Sequence, residues 1–256
     1  MESDLALTLD KSPYSLRGEI QIPPGIKVVM EPGVELINAG DDNWNKFALA
    51  GSFSAVGTKE QPVVLKNITI SGSSVATEKS TVTITHAIIK NGSIIPYRNK
   101  FENSKLEIAD SFLETGLIMG GQVIIRRSII KGYDTYQNGD TEIEGNNIEL
   151  VNNCFSVGGP RIDSPFEDRI IKHIIKHNTF NASNPPQKLQ YPVWFMIWDY
   201  TSTYNPSITD NYWHGLGDTQ ISDFLWDGST RMDISAKFIT SPLLTEPHPD
   251  TPTCIN

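Results

Sequence analysis

Carboxylates crowd the stretch from Gly132 to Gly145, where Asp134, Asp140, Glu142 and Glu144 lie close together. A glycoside hydrolase needs two carboxylates facing one groove, one raised in pKa so that it can donate a proton. A polysaccharide lyase needs instead a cation that stabilises an enolate, with a base beside it. Arg126-Arg127 is the best basic pair for that role, and Lys172, His173, Lys176 and His177 form a second cluster. Asp134, Asp140, Arg126 and His177 are therefore the candidates for catalysis. A solvated acidic turn and a surface charge ladder explain the same residues without any reaction. No Asp-rich loop has calcium-binding spacing and no Cys/His cluster suggests zinc, so neither a metal nor a cofactor is expected.

The second chemically distinctive stretch is aromatic. Tyr191-Pro192-Val193-Trp194-Phe195-Met196-Ile197-Trp198-Asp199-Tyr200 concentrates rings in ten residues. In an extended strand Trp194, Met196 and Trp198 share one face, and Phe195, Ile197 and Asp199 share the other. Exposed rings beside polar groups stack on sugars, so Trp194, Trp198, Tyr200 and Asp199 are the candidate ligand-binding residues. Burial under the insertion from Asn181 to Leu189, or contact with a second copy, would account for the same pattern.

Charge narrows the partners. The 256 residues carry 21 basic and 30 acidic side chains, a net charge of −9, which argues against nucleic acid as the main partner. The same charge repels strongly acidic polymers, so any glycan partner is expected to be neutral or weakly charged. No run of apolar residues is long enough for a membrane span. Met1 to Asp10 contains Glu2 and Asp4 and lacks an apolar core, so no signal peptide is expected. The two cysteines, Cys154 and Cys254, read as unpaired thiols and do not choose a compartment.

The elements that must position these residues are short strands. Leu5, Leu7 and Leu9 alternate, as do Ile20 with Ile22 and Val34 with Leu36, each run bounded by turn residues. Helical spacing is nearly absent, so the chain is all-β. One motif recurs, an apolar residue followed at +3 by a small or amide residue and at +5 by another apolar one. It appears at Ile84/Ala87/Ile89, Ile108/Ser111/Leu113, Ile125/Ser128/Ile130, Ile143/Asn146/Ile148, Ile175/Asn178/Phe180 and Ile208/Asn211/Trp213. The interval is 17 residues from Ser111 to Ser128 and 33 from Asn178 to Asn211, too irregular for a propeller. Stacked coils with turns of variable length fit better, because stacking identical positions builds one continuous interior. Ile84, Ile108, Ile125 and Ile143 are expected inside, with Ala87, Ser111, Ser128 and Asn146 as an adjacent column at a corner. His86, Asp110, Arg127, Gly145, His177 and Asp210 each precede a corner residue, and Asp110 is expected beneath Arg127.

Both ends carry a resemblance. The run Pro13-Tyr14-Ser15-Leu16-Arg17-Gly18-Glu19-Ile20-Gln21-Ile22-Pro23-Pro24-Gly25, continuing to Glu31-Pro32-Gly33-Val34, resembles the opening coils of bacterial right-handed parallel β-helix repeat proteins of pectate-lyase-like fold. Asp210-Asn211-Tyr212-Trp213 with Ser241-Pro242-Leu243 is similar to their closing segment, although His214 stands where glycine is usual. The resemblance implies a single right-handed solenoid. Residues 1–25 would form an N-terminal cap and first coil, 26–215 the coils, and 216–256 a C-terminal cap. Leu5 to Leu9 is expected as a capping strand, and Ile221 to Leu225, at i, i+3 and i+4, as a short capping helix.

Such folds host lyases, hydrolases and inert adhesive modules alike. The favoured reading is a non-catalytic extracellular, cell-surface or virion-surface module that binds glycan or builds structure, as a monomer or homo-oligomer. A carbohydrate-active enzyme is the alternative.

Overall fold

The computed structural model describes residues 3–38, 40, 45–73, 79–96, 104–131, 142–157, 161–163, 172–181, 195–196, 205–214, 216–229 and 231–254. Asp134, Asp140, Trp194, Trp198, Asp199 and Tyr200 lie outside the described residues. The fold is all-β, a solenoid of parallel strands. It divides into two compact units, Met1–Val123 and Ile124–Asn256.

The first unit has three faces, each built of parallel strands from successive passes of the chain. One face runs Leu5–Leu7, Lys27–Met30, Ser52–Val56, Ser80–Thr85, Ser104–Ala109. The next runs Tyr14–Leu16, Glu35–Asn38, Val63–Lys66, Ala87–Lys90, Phe112–Glu114. The third runs Glu19–Ile22, Lys46–Leu49, Thr69–Gly72 and Ser93–Ile95 to the start of Leu117–Arg126. The register comes from alternation: in Thr81-Val82-Thr83-Ile84-Thr85 the threonines face outward while Val82 and Ile84 are buried. Val28, Phe53, Val82 and Leu106 form one column and Met30, Ala55, Ile84 and Ile108 the next, none more than 1% exposed. Each large aliphatic or aromatic side chain buried this way contributes about 1.5–3 kcal/mol.

Turns between faces need positive φ. Gly25 and Gly33, in the two Pro-Gly pairs, have φ of 78° and 80°. Elsewhere the position is taken by residues that tolerate the left-handed region, including His86 (47°), Asp110 (51°), Asn67 (56°) and Asn91 (53°). His214 has φ of 48°, which is the physical reason glycine suits that position.

In the second unit Ile129–Lys131, Cys154–Val157 and Thr179–Phe180 stack in parallel, continued by a bridge from Thr179 to Tyr212. The long strand Glu142–Val151 pairs with Arg161–Asp163 through its first half and with Lys172–Lys176 through its second. The interior here is aromatic: Phe155 stacks on Phe180 with ring centroids 5.0 Å apart, and Phe180 meets Trp213 at 4.4 Å.

Within each unit the corners are joined by side-chain hydrogen bonds. In the first unit Ser111 Oγ accepts from Ala87 N at 3.1 Å and donates to Ala109 O at 2.6 Å. In the second, Asn153 Oδ1 accepts from Ser128 N (3.0 Å), Asn178 Oδ1 from Asn153 N (2.9 Å) and Asn211 Oδ1 from Asn178 N (2.9 Å). Each amide nitrogen also donates to a backbone carbonyl of a neighbouring coil: Asn153 to Ile125, Asn178 to Leu150 and Asn211 to Ile175, at 2.8–2.9 Å. The three asparagines are fully buried.

The expectations need correcting in the second unit and at both ends. The corner amide after Ser128 is Asn153, in the motif Leu150/Asn153/Phe155, and not Asn146, which lies within the strand Glu142–Val151. Ile143 is buried as expected but stands in register with Ile162. Gly145 likewise lies within that strand, and Asn152, with φ of 57°, takes the left-handed turn. The N-terminal strand stops at Leu7, because Leu9–Lys11 closes a 3-10 turn. At the other end the helical turn is Asp218–Ile221, followed by a 3-10 turn at Ser222–Phe224, while Leu225–Trp226 is a strand paired with Phe195–Met196. Pairing with the aromatic stretch holds Leu225 extended where side-chain spacing alone suggested helix.

Asn178→Ala should cost about 3–5 kcal/mol in urea unfolding, because it strips the buried Asn153 N–H and Leu150 carbonyl of their partners. Asn91→Ala, at an exposed turn, should cost no more than about 1–2 kcal/mol, the left-handed backbone penalty.

Candidate functional site

The best-defined cluster of chemistry-bearing side chains lies where the C-terminal segment returns across the corner column. Its path is set by a turn built on Asp227, a buried carboxylate that accepts from Ser229 N and from Phe238 N at 2.7 Å each. Arg231 covers Trp226 with its guanidinium 4.6 Å from the ring centroid. The chain then adds one more parallel contact to the solenoid. Ile208 N donates to Ile239 O at 2.9 Å and Asp210 N to Pro242 O at 2.7 Å.

From there it reverses and crosses the coils one after another. Leu244 N donates to Asn211 O at 3.0 Å. The His248 ring stacks on His177, centroids 4.1 Å apart and planes within 9°. Thr251 Oγ1 donates to His177 O at 2.6 Å. Finally Cys254 is bonded to Cys154 across a sequence separation of 100 residues, with Cα atoms 5.4 Å apart. Cys154 and Thr179 alternate with the inward Phe155 and Phe180, so both point away from the interior, yet both are buried.

The expectation of two unpaired thiols is therefore overturned. Sequence distance hid the pair, and the two ends of the bond meet because coil stacking brings the tail back over an earlier coil. The signal was present in Leu150/Asn153/Phe155, which places Cys154 on an outer face. His248, Thr251 and Cys254 carry no motif that sequence reasoning could have flagged.

The structure separates the sequence candidates. Arg126 is committed to Glu149, with Nε and Nη2 at 2.8 and 2.7 Å from Oε1. The Lys172-to-His177 cluster is divided by strand alternation. His173 and Ile175 face inward, Ile174 and Lys176 outward, and His177 sits in the turn with φ of 60°. Burial pushes His173 down to about 4, so it is neutral at physiological pH and supplies no cation to an enolate. His177 is lowered by desolvation first, then by His248 and Lys176, against the opposing pull of Asp210 and Asp250. The facing rings present π-surfaces to one another, and among the described residues no group of three or more His, Cys, Asp or Glu is placed to hold a metal ion. What this cluster can do chemically is take up protons and break or form one disulfide.

His173 generates a pH prediction. Its folded pKa lies below its unfolded value of 6.5, so the unfolded chain binds the proton first and stability falls as pH drops from 6.5 towards 4. The loss should reach about 3 kcal/mol across that window. His173→Leu should remove that portion of the slope when unfolding free energies are compared between neutral pH and about pH 5.

Comparison of the chain with family models, curated proteins and solved structures returns no match.

Proposed function

We propose that this protein is a non-catalytic β-solenoid module that works outside the reducing interior of the cell, presenting its surface to a neutral or weakly charged glycan. The observation that carries this reading is the structural commitment of the described residues best suited to catalysis. Arg126 clamps Glu149 on the neighbouring strand, and His177 lies beneath His248 and Thr251. The Cys154–Cys254 bond supports a location at the cell surface, in the extracellular space or on a virion, since such bonds persist in oxidising surroundings. The glycan itself is suggested by the aromatic stretch, whose Phe195–Met196 strand is anchored to Leu225–Trp226.

A glycan array probed with the full chain, run beside reducing-end and unsaturated-uronate assays, tests the proposal. Retention on a neutral glycan with no loss of polymer length is the expected result. Trp194→Ala and Trp198→Ala should each weaken retention by about tenfold, the worth of one stacked ring, with little change in Tm. A large fall in Tm would identify those rings as core. Shortening of any polysaccharide by the wild-type chain would replace this reading with the enzyme, and Asp134 and Asp140 would be the first residues to substitute.

A further inference from the structure

The returning C-terminal segment closes over Cys154, a buried side chain that faces away from the interior, and three kinds of contact hold it there. The covalent one is the disulfide. The second is the stacked ring pair His177–His248 with the adjoining Thr251 hydrogen bond. The third is the backbone bond from Leu244 to Asn211. Residues 244–254 take part in no strand or helix, so nothing in their own secondary structure resists lifting.

We propose that residues 244–254 are a releasable strap with two locks in series. While the disulfide is closed the strap stays down at any pH. Once a dithiol opens the bond, protonation of His177 lifts the strap and uncovers Cys154.

The opening step is balanced by thiol–disulfide exchange. Two electrons and two protons pass from the dithiol to the bond, leaving thiols at Cys154 and Cys254 and a disulfide in the dithiol. The proton step follows from the groups that face the rings. Asp210, on the adjacent coil, and Asp250, on the strap, favour the His177 imidazolium, while Lys176 opposes it. A second positive charge at a centroid separation of 4.1 Å opposes the first. Docking also shields His177 from water. The lifted strap therefore binds more protons than the docked one, and lifting becomes easier as pH falls through 6.5, the ordinary imidazole value. This inference stands whatever ligand the solenoid faces take.

Cys154, fully buried when the strap is down, reports the event directly. In Cys254→Ser the covalent lock is gone and Cys154 is the single thiol, so its labelling by a dipyridyl disulfide, relative to the urea-unfolded chain, measures strap opening. The rate should rise about tenfold or more between about pH 7.5 and about pH 5. Cys254→Ser combined with His177→Asn keeps a residue that tolerates the left-handed turn but removes the desolvated imidazole, and its labelling relative to the unfolded chain should change little between the two. No rise in the single variant, or an equal rise in the double variant, overturns the proposal. So does a rate whose urea dependence matches global unfolding. Should Cys254→Ser not fold, the wild-type chain reduced with a phosphine gives the same readings from amide exchange of residues 244–254, corrected for intrinsic rates. Faster exchange at the lower pH only after reduction supports the strap, and exchange indifferent to reduction contradicts it.

Discussion

Parallel stacking forces every coil to turn a corner, and at that corner backbone N–H and C=O groups leave the ladder while still inside the protein. An unpaired buried group costs about 1–3 kcal/mol, so a column of unsatisfied corners would unmake the stack. Asn153, Asn178 and Asn211 meet this constraint with one amide each. The oxygen accepts from the coil before, and the nitrogen donates to a carbonyl one coil back. The left-handed residue just ahead of each, Asn152, His177 or Asp210, aims the amide inward. The stacked strands Cys154–Val157 and Thr179–Phe180 take their register from that column.

The aromatic interior follows directly, since Phe155, Phe180 and Trp213 stand two residues beyond the asparagines and inherit their register. The strap follows too. The turn residues His177 and Asp210 are held at the surface by the same corners, and they are the ones the C-terminal segment touches as it returns to Cys154. One repeated local device thus builds a core on its inner side and a docking track on its outer side.

How much of this was legible varied with the range of the interaction. The +3/+5 motif located Ala87, Ser111, Ser128, Asn178 and Asn211, because their role is local and leaves a local pattern. It selected Asn146 in place of Asn153, since Ile143 and Ile148 satisfy the same spacing and only the strand partners Ile162 and His173 tell the two apart. The disulfide and the His177–His248 stack were invisible for a related reason: each joins residues that meet only after the coils are stacked. For Arg126 the sequence offered a cation suited to catalysis, and the neighbouring strand supplied Glu149, which the +3/+5 motif passes over.

The central claim is that neighbouring corner amides act as one network and not as separate turn residues. A double-mutant cycle on Asn178 and Asn211, each replaced by Ala and by both, measures that coupling in urea unfolding. A coupling energy of about 1–2 kcal/mol is expected, because the first substitution already removes the partner of the second. Strict additivity, within about 0.3–0.5 kcal/mol, would contradict it.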